Sequence, residues 1–154
     1  MSRALAAGLT VAAVVWAVII VVAPVALHSA AAAVPASVVY IASSRICHQR
    51  PERSFTIAGF QMPVCARCSG LYLSAAVGTL LAWGARRRTP STRALMIAAL
   101  PTAMTFVLEL AGVMPFSNKA RAIAALPLGA VVGWLFVRML RYDSRLDAPE
   151  NTDS

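Results

Sequence analysis

The stretch ALAAGLTVAAVVWAVIIVVAPVAL, residues 4–27, contains no ionisable side chain. A helix needs about 20 predominantly apolar residues to cross roughly 30 Å of hydrocarbon, and this run is long enough. Three further runs have the same character: Cys65 to Ala85, stopped by Arg86, Arg87 and Arg88; Ala94 to Pro115, with Glu109 as its one acid; and Ala120 to Leu140, closed by Arg138 and Arg141. Only helices or closed barrels satisfy their backbone in lipid, and no alternating strand pattern is visible. The expected fold class is therefore all-α: a polytopic membrane protein with four transmembrane helices.

Composition agrees. The 154 residues are 59% hydrophobic and 13% charged, with a mean hydropathy of +0.71. A soluble domain carries about 25% charged residues, so too little polar surface exists here to cover a water-soluble globule. Disorder requires low hydrophobicity and is excluded for most of the chain. Three cysteines are too few for a disulfide scaffold. The net charge of +8 comes almost wholly from arginine; in a polytopic protein it reads as topology and lipid contact, not nucleic-acid binding.

Residues 1–141 read as a single membrane domain, and residues 142–154 as a disordered polar tail. A secretory signal is the rival reading of the first run, with Ala31-Ala32-Ala33 as cleavage site, but signal cores span about 7–15 residues, so a retained anchor is expected. With the N-terminus in the cytoplasm, the inside holds eight basic residues: Arg3, Arg86, Arg87, Arg88, Arg93, Arg138, Arg141 and Arg145. The outside holds six: Arg45, Arg50, Arg53, Arg67, Lys119 and Arg121. The expected location is thus the cell membrane, multi-pass, with both termini cytoplasmic. The outer loops then carry more arginine than orientation requires.

Residues 28–64 form the one long connection. Its first part predicts a short interfacial helix over Val38, Tyr40, Ile41 and Ile46, with Pro35 near its start. The remainder reads as ordered loop. Gly70, Ser74 and Gly78, and Gly129 with Gly133, recur every four residues, a spacing that lets helix backbones approach closely.

Chemistry concentrates at Cys47-His48 and at Cys65-Ala66-Arg67-Cys68, immediately before the second apolar run. A C-x-x-C at a helix N-terminus, with an arginine between the thiols, favours thiolate, which is both nucleophile and metal ligand. Cys47, His48, Cys65 and Cys68 make a Cys₃His set suited to zinc or another thiophilic ion. In the redox alternative Cys65 and Cys68 cycle between dithiol and disulfide, with Cys47 as exchange partner, His48 as nearby base and a quinone as electron acceptor. Glu109 needs a partner within the membrane, with Arg121, Lys119 or a loop arginine as candidates. Arg50, Arg53, Arg67 and Arg121 can bind an anionic group, such as a lipid phosphate. Glu52 and Asn118 lie among these polar residues. His28 reads as an interfacial residue.

The segment from Ile46 to Gly78, with Cys47-His48-Gln49, Pro51-Glu52-Arg53-Ser54-Phe55, Gly59 and Pro63-Val64-Cys65-Ala66-Arg67-Cys68-Ser69-Gly70-Leu71-Tyr72, closely resembles the signature of a prokaryotic integral membrane family catalogued as a domain of unknown function. A weaker similarity covers Gly112 and Ser117-Asn118 to Arg121. In the third apolar run the family pattern has an acidic residue and a Gln where this chain has Thr105 and Glu109. The resemblance implies a membrane location and a Cys/His centre, and no activity. The expected function is metal binding at the outer membrane face. A quinone-coupled thiol–disulfide oxidoreductase, or a structural or partner-binding subunit, is the alternative. Enzymatic activity is left open; the lipid bilayer is the expected partner, with no nucleic acid and no protein partner assigned.

Overall fold

A computed structural model describes residues 2–84, 91–113, 115 and 117–146. It is mostly helical: α1 (Ser2–Ala26), α2 (Ala30–Ser44), a 3-10 turn (Pro51–Arg53), the strands β1 (Ser54–Ile57) and β2 (Phe60–Cys65), then α3 (Ala66–Gly84), α4 (Thr92–Leu110) and α5 (Asn118–Leu146). Among the described residues, three helical stretches are long and apolar enough to cross a membrane: Arg3–Ala26, Thr92–Leu110 and Asn118–Arg141. α2 is a shorter apolar helix. α3 is outside that group because its first turns carry Arg67, Ser69 and other weakly apolar residues.

α3 is the axis of the bundle. Its buried residues are all small: Ala66, Ser69, Gly70, Ser74, Ala76, Gly78, Thr79 and Ala82. Lipid supplies no hydrophobic drive between helices, so close van der Waals packing of small residues must hold them. Gly70 lies against Ala122, Gly78 against Ala130 and Gly133 against Ala75. From Gly70 to Gly78 the facing residue advances from Ala122 to Ala130, and from Gly129 to Gly133 it advances from Leu71 to Ala75, so α3 and α5 run parallel, with their N-termini at one end of the bundle. α1 runs the opposite way, with Ala6 packed on Ala82 and Val137 at one end and Ile20 packed near Cys47 and Val64 at the other. At the Ala6 end Trp83 Nε1 donates to Thr10 Oγ1 (2.9 Å). There the Arg141 guanidinium lies 4.8 Å from the Trp83 ring centroid and donates to Ala82 O (2.9 Å), which covers the C-terminal carbonyls of α3.

The structure corrects three boundaries and the fold class. α2 begins at Ala30, which places Pro35 inside it and not near its start. α4 stops at Leu110, short of Pro115. Gly112 (φ +66°) ends it in a Schellman arrangement, in which Gly112 N donates to Glu109 O (3.1 Å) and Val113 N to Leu108 O (3.1 Å). α5 runs on to Leu146, through the start of the expected tail; no Pro or Gly interrupts the chain there before Pro149. Residues 147–154 and the Arg86–Arg88 cluster lie outside the described residues.

The fourth correction concerns the all-α expectation. Part of the loop is an antiparallel hairpin that pairs Ile57 with Phe60 and Thr56 with Gln61. Its two-residue turn has Ala58 at φ +51° and Gly59 at φ +84°, the positive pair that type I′ requires. The register shifts between Thr56 and Ser54, which faces Cys65. Pro63 sits in the shifted stretch of β2, where its missing N–H costs no ladder bond.

Candidate metal centre and its arginine-lined cavity

Cys47 follows α2, and its N–H donates to Ser43 O (2.9 Å), so it is held by the last turn of that helix. Cys65 ends β2, and Cys68 lies in the first turn of α3. The direct passage from strand to helix turns the C-x-x-C back on itself. The three sulfurs lie within 4.8 Å of one another. All three thiols are free; Cys47 is buried and the other two are half-buried. Cys65 N–H donates to Cys47 Sγ (3.1 Å). The Cys65 thiol is held well below its usual range: the Cys68 thiol donates to its sulfur, the Cys68 and Arg67 N–H groups and the Cys47 thiol add to this, and burial opposes them.

His48 does not join the trio. It is exposed, and it lines an adjoining cavity of about 400 Å³ together with the cysteines, Ile46, Arg50, Arg53, Arg67 and Arg121. Its neighbour Cys47 turns inward, so the two adjacent side chains diverge. Four of the expected arginines therefore meet around one space, while Arg45 and Lys119 stay exposed and off its lining.

Glu109, near the C-terminal end of α4, stands behind this wall. Arg121 Nε donates to its Oε1, and Arg67 Nη2 lies 3.4 Å from Oε2. The three side chains are 13–23% exposed, so the carboxylate is neutralised where water is scarce. Arg121 Nη1 also donates to Asn118 Oδ1 (2.9 Å), and Asn118 Nδ2 donates to Ser54 O (2.9 Å). The Arg67 guanidinium also lies 5.6 Å from the Phe106 ring centroid. α3, α4, α5 and the hairpin are thus tied together at the thiol end. Glu52 is peripheral, paired with Arg50 at 3.8 Å, both largely exposed. His28 packs edge-on against Phe60, with centroids 4.9 Å apart.

A polar clasp that sequence reasoning missed positions Cys47. Gln49 Nε2 donates to Tyr40 O (2.7 Å) and to Pro63 O (2.8 Å), while Gln61 Nε2 donates to Gln49 O (2.6 Å). Tyr40 OH donates to Gln61 O. Gln49 sits at φ +47°, a conformation sustained only when its surroundings determine it. The available signal was two glutamines, one at each end of the segment 49–61.

The family described as Predicted membrane protein (DUF2085) matches residues 47–135, more than half of the chain. The chain belongs to that family. The match runs from Cys47 to beyond Arg121 and so contains every residue of the centre, whereas α1 and α2 precede it. An uncharacterized protein of Methanocaldococcus jannaschii is 36% identical over 97 residues, which is 60% of this chain and 62% of that protein. An uncharacterized protein of Methanothermobacter thermautotrophicus is 34% identical over 86 residues, 54% of this chain and 78% of that one. The chain thus matches less than two thirds of the first relative's length. No solved structure matches.

Proposed function

We propose that this family member is a four-span protein of the cell membrane that binds a thiophilic metal ion, zinc foremost, through Cys47, Cys65 and Cys68. The observation that carries the reading is the convergence of three sulfurs, from a loop, a strand end and a helix start, within 4.8 Å. Tetrahedral thiolates at a Zn–S distance of about 2.3 Å stand roughly 3.8 Å apart, so ligation needs only a slight closing of the trio. Backbone N–H groups directed at Cys65 and Cys47 sulfurs stabilise thiolate. Three protein ligands leave a fourth position open toward the cavity, as in sites that present an ion to a ligand.

α3 is the fourth span in this reading. Its antiparallel neighbour α1 and its parallel neighbour α5 both qualify by length and apolarity, and a helix buried between spanning helices needs less apolar surface of its own. The balance of basic residues supports cytoplasmic termini and an outward-facing centre. Exposed Thr56, changed to Cys, tests this: an impermeant maleimide labels it above the wild-type background in intact cells, and labelling only after lysis reverses the orientation.

Metal analysis of protein purified in mild detergent tests the main claim. One ion per chain, lost in Cys65→Ser, is expected. The hydrogen bond between the Cys68 and Cys65 thiols favours a second reading, oxidoreduction. There a Cys65–Cys68 disulfide forms as two electrons and two protons pass to a quinone to give the quinol. Metal-free protein whose disulfide follows quinone supply would replace the first reading with this one.

A further inference from the structure

We propose that the cavity beside the thiol trio is a binding site for a phosphate-type oxyanion, held by Arg50, Arg53, Arg67 and Arg121. The space measures about 400 Å³, against roughly 30 Å³ for one water in the liquid, so it admits a ligand and not merely solvent. Among the described residues no carboxylate lines it. Guanidinium forks match the oxygens of a phosphate, and several converging forks suit an acceptor with several oxygens over one with two.

Charge decides the sign of the ligand. Glu109 offsets one of its two arginines, and exposed Glu52 offsets Arg50. Four guanidiniums against these two carboxylates leave a positive excess, which a phosphate-type oxyanion balances. Glu109 also fixes Arg67 and Arg121 from behind, so half of the cradle is held before any ligand arrives. Among the described residues Arg53 has no ion-pair partner, and it stands exposed at the mouth. The site adjoins the proposed metal position but stands on the arginines, so it does not depend on an ion being bound.

The same chemistry is offered by free phosphate and by the headgroup of an anionic lipid, since the cavity lies at the end of the spanning helices. Radiolabelled inorganic phosphate is therefore measured by equilibrium dialysis against the full chain in phosphatidylcholine nanodiscs. One saturable site per chain is expected. The Arg50→Gln/Arg53→Gln double variant removes neither partner of Glu109, and it weakens binding at least tenfold, whereas Arg93→Gln, on an exposed residue at the opposite end, leaves it unchanged. Retention of phosphate binding when phosphatidylglycerol is added identifies free phosphate as the ligand, and suppression identifies the lipid headgroup. Absence of saturable binding, or binding indifferent to the double variant, overturns the proposal. A chelator arm separates the two claims: phosphate binding that persists in protein shown never to hold metal keeps the oxyanion site and removes the metal reading, while binding abolished by chelation assigns the anion to the ion and refutes the arginine cradle.

Discussion

Gly78→Ala sets the helix packing against its energetic consequence most directly. A Cβ at position 78 would lie under 3.0 Å from the Ala130 carbonyl oxygen, a backbone atom that cannot rotate away. α3 and α5 must then part by about 1 Å, and a gap of that size forfeits a quarter to a half of each dispersion contact it opens. Overpacking of this kind costs about 1–3 kcal/mol, while replacing helical Gly with Ala returns about 1 kcal/mol. A net loss of up to about 2 kcal/mol follows. Gly8→Ala is the matched control: it makes the same chemical change inside α1, where nothing lies within 4 Å, so only the gain of about 1 kcal/mol remains. The two variants should differ by about 1–3 kcal/mol, or roughly fivefold to 150-fold in the unfolding equilibrium. Unfolding in mixed micelles, followed by circular dichroism, measures it. Equal stability of the two variants would show that α3 and α5 do not meet at Gly78 and would remove the basis for placing Cys68 beside Arg121.

Glu109→Gln leaves Arg67 and Arg121 half-buried and uncompensated, so it should destabilise by about 3 kcal/mol; a shift under 0.5 kcal/mol in the same assay would mean the ion pairs are solvated (a surface pair contributes about 0–1 kcal/mol). Gln49→Ala removes the amide's hydrogen bonds to the Tyr40 and Pro63 carbonyls and should cost about 2 kcal/mol. It should also lower metal stoichiometry in detergent, because the clasp positions Cys47; unchanged stoichiometry would show that Cys47 is held by α2 alone. Ala58→Asn should stabilise by about 0.5–1 kcal/mol, because Asn tolerates the left-handed conformation that Ala resists; destabilisation would mean that the turn lacks positive φ there.

The helices were legible because membrane crossing imposes a length and a polarity that few other structures share. Arg138 and Arg141 did not mark an end, because α5 continues to Leu146. α3 was legible as a helix but is the least apolar of the four, because a helix buried among helices is selected for small residues, and its Gly–Ser–Gly spacing announced that role. The hairpin was hidden by its size: two short strands joined by Ala58-Gly59, with Pro63 in the second, carry neither a long alternation nor the Asn-Gly turn that signals a hairpin. The cysteine trio could be guessed from residue type, and the four arginines from their excess on one side. His48 could not be separated from its neighbour by sequence, since adjacent residues diverge or converge according to backbone conformation alone. The Gln49–Gln61 clasp depends on a positive φ at a non-glycine residue, which local sequence does not encode; only the surrounding tertiary contacts sustain it.

The centre and the fold share their parts. Arg67 sits between the two cysteines of the C-x-x-C, yet its guanidinium reaches Glu109 on α4. Arg121 meets the same carboxylate from α5 and, through Asn118, holds the backbone of Ser54 at the start of β1. The residues that line the cavity are therefore the ones that join four elements whose lipid-facing sides offer no preference for one another. A ligand that engages the remaining donors of Arg67 and Arg121 from the cavity side bears on side chains that Glu109 holds from behind, and a displacement there is transmitted to α4, the least buried of the three candidate spans, in which only Ala98 and Thr105 are buried. Occupancy of the cavity is thus coupled to the seating of α4 against α3 and α5, and ligand binding and bundle stability must change together.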